Sequence, residues 1–192
     1  MTTFATTPSL RTLIEGGVEL FSGQIGDLTE QDWGRRTPCS EWTIADVADH
    51  VVLTAEGARA RVTGGVAEEG RPTEDGILTR WSRASDALLA TVAGATLDLR
   101  WPLPQTSKDA KLRFYACDFA IHSWDVSVGR GREAELPAAW LDFMNAFFRS
   151  LPNEALRKPR AFADPLDPRP GDGPTRTLMA YLGRSGSGQS AG

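Results

Sequence analysis

A chain of 192 residues, 41% hydrophobic and 24% charged, has the size of one domain and enough apolar material for a real core. Six Trp and eight Phe exclude disorder over most of it, and a net charge of −4 argues against a general nucleic-acid partner. No apolar run approaches the ~18–20 residues a membrane span needs, so no membrane partner is expected either. The opening Met1-Thr-Thr-Phe-Ala5 lacks the cationic and then apolar pattern of a secretory leader. Cys39 and Cys117 are too few for a disulfide framework, and the expected compartment is the cytoplasm.

Helical periodicity then runs through the chain. Leu10, Ile14, Gly17, Phe21 and Ile25 keep three-to-four spacing and predict a helix over 9–25, with Gly26 as its stop. Leu28 to Ser40 carries Gly34 and Pro38 and reads as a loop. Thr43 opens a second helix, with Asp46 three residues on as a short-armed capping box. Its stripe is Ile44, Val47, Val51, Ala55, Ala58 and Val62, ending at Gly64-Gly65. A third helix is expected over about 73–93, with Ile77, Trp81, Ala84, Leu88 and Val92 on one face. Leu97 to Trp101 alternates apolar and polar residues as a short extended piece would, and Pro102 and Pro104 end it.

The fourth helix, near 107–128, shows a stripe of Leu112, Tyr115, Phe119, His122 and Val126, closed by Gly129 and Gly131. Pro137 at a first helical position opens a fifth segment with Trp140, Met144, Phe147 and Leu151 on one face. Five prolines between Arg157 and Pro174 predict a wrapping loop, and a short last helix is expected over about 174–183. One isolated strand candidate cannot make a sheet, so the predicted fold is an all-α four-helix bundle with short C-terminal helices over 1–184, followed by a Gly/Ser-rich flexible tail, 185–192.

The two histidines of the chain, His50 and His122, both fall inside predicted helices. Asp118 precedes His122 by four residues and shares its face. If the second and fourth helices are neighbours, His50, Asp118 and His122 converge inside the bundle, and two imidazoles with one carboxylate leave coordination positions open on a divalent ion. The same spacing also suits a plain ion pair on a helix, and spacing alone leaves both readings open. Asp125, one turn beyond His122, is placed to orient that imidazole or to meet a neighbouring Arg. Trp124 reads as packing against the fifth segment. Cys39 and Trp42 read as an apolar plug before the second helix, with a reactive Cys39 as the lesser alternative. Cys117 points about 100° away from Asp118 around the helix, away from any ligand set. Arg35, Arg36, Arg130 and Arg132 are loop positions read as solvated surface.

Two segments resemble a known family. Trp33-Gly-Arg-Arg-Thr-Pro-Cys-Ser-Glu-Trp-Thr-Ile-Ala-Asp-Val-Ala-Asp-His50 and Asp118-Phe-Ala-Ile-His122-Ser-Trp124-Asp125 are similar to elements of the DinB/YfiT-like superfamily. They are most similar to the actinobacterial branch that includes the N-terminal domain of mycothiol-dependent maleylpyruvate isomerase, and the closing Leu178-Met-Ala-Tyr-Leu-Gly-Arg184 looks like the end of its short members. The resemblance implies a four-helix bundle with a crossover connection. It also implies a divalent metal, commonly Zn²⁺, with Ni²⁺, Fe²⁺ or Mn²⁺ as other occupants, held by His50, Asp118 and His122. Asp118 stands where the isomerase pattern has Glu, and the chain is too short for that enzyme's additional C-terminal domain, which argues against maleylpyruvate as substrate.

The function implied is a metal-dependent enzyme that activates a low-molecular-weight thiol such as mycothiol, or water, for transfer, addition or isomerisation on a small electrophile. Coordination deprotonates a thiol that is otherwise mostly protonated at neutral pH. The competing expectation is a non-catalytic metal-binding or small-molecule-binding sensor module, as a monomer or homodimer.

Overall fold

The computed structural model describes residues 8–39, 42–66, 75–95, 97, 108–157 and 162–186. It contains α1 (Leu10–Ile25), α2 (Ile44–Thr63), α3 (Ile77–Gly94), α4 (Lys108–Gly129), α5 (Ala138–Ser150), α6 (Asn153–Leu156) and α7 (Pro174–Tyr181). The one β-type pairing among the described residues is an isolated bridge between Arg36 and Thr43. The fold is therefore an all-helical bundle with short C-terminal helices.

The local signals act as elementary chemistry requires. Ser9 accepts a bond from the Thr12 amide at 3.0 Å, which satisfies an orphan donor at the start of α1. The Thr43/Asp46 capping box forms in full: the Asp46 amide donates to the Thr43 hydroxyl at 3.2 Å, and the Thr43 amide donates to the Asp46 carboxylate at 2.9 Å. That box sets the first turn of α2, and His50 follows seven residues later. Gly64, in the left-handed region at φ 76°, ends α2.

Some boundaries differ from expectation. Helix α3 starts at Ile77 behind Gly76, and the earlier residues assigned to it, 73 and 74, lie outside the described residues. The extended piece at 97–101 also lies outside them except for Leu97, as does the tail beyond 186. Pro137 is the residue before α5 rather than its first helical residue. Gly129 is still helical, and Gly131 at φ 75° makes the turn after α4.

In the bundle, α1 packs on α4 and α3, and α2 packs on α3 and α4. Helices adjacent in sequence, α1 and α2 or α3 and α4, are thus diagonal partners, while α2 and α4 lie side by side. Close approach of α1 to α4 depends on Gly17, where a Cβ would sit 3.0 Å from the Ala116 carbonyl and 3.1 Å from the Phe119 Cβ. Trp81 of α3 packs edge-on against Phe21 at 4.9 Å, and its indole N–H donates to the Ser22 hydroxyl at 2.9 Å. Full burial of side chains such as Leu88, Leu112 and Phe148 contributes about 1.5–3 kcal/mol each.

The C-terminal part closes one end. Helix α7 lies against α5, and buried Thr175 ties it to the α4–α5 connection: its hydroxyl accepts from the Leu136 amide at 3.0 Å and meets Glu135 at 2.5 Å. Arg157 donates to the Tyr181 carbonyl at 2.7 Å. Among the described residues, no helix is long and apolar enough to cross a membrane.

Candidate metal centre

Because α2 and α4 are neighbours, the two histidines meet. Their rings lie 4.9 Å apart, nearly perpendicular. His50 Nε2 is 2.9 Å from Asp118 Oδ2, and His122 Nε2 is 3.5 Å from Asp118 Oδ1, so one carboxylate faces an imidazole with each oxygen. One donor atom from each of the three residues lies within 4.8 Å of the others. The burial is graded. The His122 side chain is 3% exposed, Asp118 12% and His50 37%, so the group opens to solvent on the His50 side.

The donor set fits a divalent cation. Two ligands each about 2.0–2.2 Å from a tetrahedral ion stand roughly 3.3 Å apart, and the observed 2.9 and 3.5 Å bracket that spacing. The orientation of His122 fits as well. Its Nδ1 is 2.9 Å from Asp125 Oδ2. With Nδ1 turned to Asp125, Nε2 is the ring nitrogen left facing Asp118 and His50, where it can serve as a ligand atom. The carboxylate–imidazole pairing is the arrangement that fixes a metal-binding tautomer.

Asp118 is held below the ordinary carboxylate range. Burial opposes its ionisation, but facing His122, together with the contacts from His50 and Thr54, outweighs that penalty. The Thr54 hydroxyl donates to Asp118 Oδ2 at 3.0 Å and lies 3.4 Å from His50 Nε2. Thr54 follows His50 by four residues on α2, a spacing that could have flagged it from the sequence.

Several side chains beyond the three complete the surroundings. Asp125 meets both of its expected classes of partner, an imidazole and an Arg. The guanidinium is that of Arg184, whose Nε lies 3.1 Å from each Asp125 oxygen. Trp42 does more than plug the turn before α2: it stacks on His122 at 6.0 Å and 25° and lies over His50 at 5.0 Å. It is held there by bonds to the residues before it: the Thr37 amide donates to the Trp42 carbonyl at 2.9 Å, and the Ile44 amide to the Arg35 carbonyl at 2.9 Å.

Cys39 groups with His122 and Asp125 rather than with His50 and Asp118. Burial first, and Asp125 next, push its thiol up to about 12, although Arg184 at 3.8 Å from Sγ works in the opposite direction. Cys117 is fully buried, its thiol also pushed up by burial. Trp124 is buried in the core. Arg130 and Arg35 pair with Asp27 at 2.7 Å and Asp32 at 3.3 Å.

Two curated relatives, uncharacterized protein MT0763 from Mycobacterium tuberculosis strain CDC 1551 / Oshkosh and uncharacterized protein Rv0738 from strain ATCC 25618 / H37Rv, are each 27% identical over 175 residues, covering 87% of this chain and 93% of theirs. No solved structure gives a significant match. The profile of the mycothiol maleylpyruvate isomerase N-terminal domain matches residues 17–127, a span that contains His50, Asp118, His122 and Asp125. The chain belongs to the mycothiol maleylpyruvate isomerase N-terminal domain family.

Proposed function

We propose that the protein is a metal-dependent enzyme that uses a low-molecular-weight thiol, mycothiol by analogy with its family, to attack or isomerise a small electrophile. The observation that carries this reading is the convergence of two imidazoles and one carboxylate from neighbouring helices at a point that opens to solvent on one side. His50, Asp118 and His122 would hold the ion. Nitrogen and oxygen donors suit Zn²⁺ first, with Ni²⁺, Fe²⁺ and Mn²⁺ as other occupants. A bound Zn²⁺ would supply Lewis acidity, lowering the pKa of a thiol or water presented to it.

The chain's own residues do the remaining work. Asp125 holds the His122 ring through Nδ1, so that Nε2 is the ring atom presented to the site. Thr54 holds one Asp118 oxygen, which limits the carboxylate to a narrow set of orientations. Trp42 lies over both rings, excludes water from that side and offers a flat apolar wall to a small substrate. The exposed edge of His50 is the side from which thiol and electrophile approach.

A metal-binding module with no catalysis would be served best by a closed set of protein ligands. Cys39, a further sulfur donor, groups with Asp125 and lies against Arg184 rather than with His50 and Asp118, which favours the open, reactive reading. The test is to incubate zinc-loaded protein with mycothiol and a panel of activated alkenes and alkylating agents, following adduct formation by mass spectrometry. Turnover is expected in the wild type and not in His122→Ala. Absence of any rate above background across the panel refutes the proposal.

A further inference from the structure

The family match ends at residue 127, yet a buried cation that reaches Asp125 beside the candidate centre comes from residue 184. Its placement follows from the end of α7. Gly183, at φ 77°, takes the left-handed conformation, its amide donates to the Ala180 carbonyl at 2.9 Å, and the Arg184 amide donates to the Met179 carbonyl at 2.9 Å. This pair of bonds is the Schellman turn that a glycine permits. A Cβ at Gly183 would sit 2.7 Å from the Ala163 carbonyl oxygen, so a side chain is excluded there on contact grounds as well. The turn reverses the chain and sends Arg184 inward.

Arg184 is then fastened on every side. Its Nε reaches both Asp125 oxygens at 3.1 Å, Nη1 donates to the Leu182 carbonyl at 3.3 Å, and Nη2 lies 3.8 Å from Cys39 Sγ. The guanidinium also lies over the Phe162 ring at 5.2 Å. Asp125 is wholly buried, and apart from His122 this guanidinium is its ion-pair partner. A buried carboxylate stays ionised only where charge and hydrogen bonds compensate its desolvation.

We infer that the C-terminal turn is part of the metal centre: Arg184 is a positioning residue that aims the Asp125 carboxylate, and through Asp125 fixes the orientation of the His122 ring. The line Arg184–Asp125–His122 thus carries an effect from the last described helix to the ring atom that faces Asp118 and His50. This inference rests on the proposed metal-binding role of His50, Asp118 and His122, but its first consequence, the orientation of the His122 ring, is set without any ion.

The experiment compares wild type, Arg184→Gln and Arg184→Lys. Nitrogen-15 NMR of the metal-free proteins reads the His122 ring. The ring resonances of Arg184→Lys are expected close to those of wild type, whereas those of Arg184→Gln are expected to shift. Competition titration with zinc is expected to show a 10–100-fold weaker affinity in Arg184→Gln, the effect typical of losing an outer partner of a metal-bound histidine. Arg184→Lys, which keeps a cation beside Asp125, is expected within about threefold of wild type on that scale. An Arg184→Gln protein with unchanged His122 ring resonances and unchanged zinc affinity overturns the inference.

If Arg184→Gln does not fold, the wild-type Arg184 Nε–H resonance decides: it is expected to shift with zinc along the same binding curve as the His122 ring, and no shift overturns the inference. Wild type that binds no zinc overturns the proposed function instead, and the comparison of His122 ring resonances still decides the role of Arg184.

Discussion

Asp118→Asn tests the centre most directly, because it keeps the volume of the side chain while removing the charge that faces both imidazoles. In the metal-free protein the substitution trades charge-assisted contacts with His50 and Thr54 for neutral ones, at a cost of about 1–2 kcal/mol. The larger effect appears with metal. A cation bridging His50 on α2 to Asp118 and His122 on α4 binds only the folded chain, so zinc at a hundredfold excess over Kd adds about 2.7 kcal/mol. For a domain of this size that is a rise of roughly 5–11 °C in Tm. Wild type is expected to show that rise between chelator and excess zinc in scanning calorimetry, and Asp118→Asn to lose most of it. A wild-type Tm that does not move refutes the bridging geometry, and an equal rise in the variant removes Asp118 from the ligand set. The acid limb gives an independent check. With the folded-state carboxyl held below its unfolded value, the stability it contributes is complete above about pH 4 and is lost as pH falls below that. The acid limb of Asp118→Asn is expected to be correspondingly shallower.

Two further outcomes follow from the surroundings. With its thiol pushed up to about 12, Cys39 is expected to have a thiolate fraction of only about 10⁻⁴ at pH 8, and its alkylation by iodoacetamide should rise about tenfold per pH unit from 7 to 10. A plateau in that rate near pH 8–9 contradicts the burial and charge argument. Gly17→Val drives a side chain into the Ala116 carbonyl and the Phe119 Cβ, and urea denaturation is expected to show a loss of about 1–3 kcal/mol, with unchanged stability as the contradicting result.

Much of the fold is legible in the sequence because helices announce themselves locally. The Ile44–Val62 stripe, the Thr43/Asp46 box and Gly64 lie within a few residues of the structure they specify, and α2 forms where they place it. The same holds for the pairing of Asp118 with His122, a four-residue relation within one helix. The sequence does not by itself say that α2 lies beside α4: of the helices consecutive in the chain, α2 packs on α3 while α1 and α2, and α3 and α4, lie diagonal, and the neighbour relation comes from packing. Only that packing brings His50 to within 2.9 Å of an acid 68 residues away. Trp42 could be seen as a plug from its motif, but its stacking on two imidazoles depends on the pairing of Thr37 with Trp42 and of Arg35 with Ile44 at the start of α2. Arg184 closes the Leu178–Arg184 motif, but nothing in that motif says which carboxylate it meets. Its approach to Asp125 spans 59 residues and is decided by the docking of α7 on α5 and the α4–α5 connection, an outcome of long-range burial that no pattern within a single segment can encode.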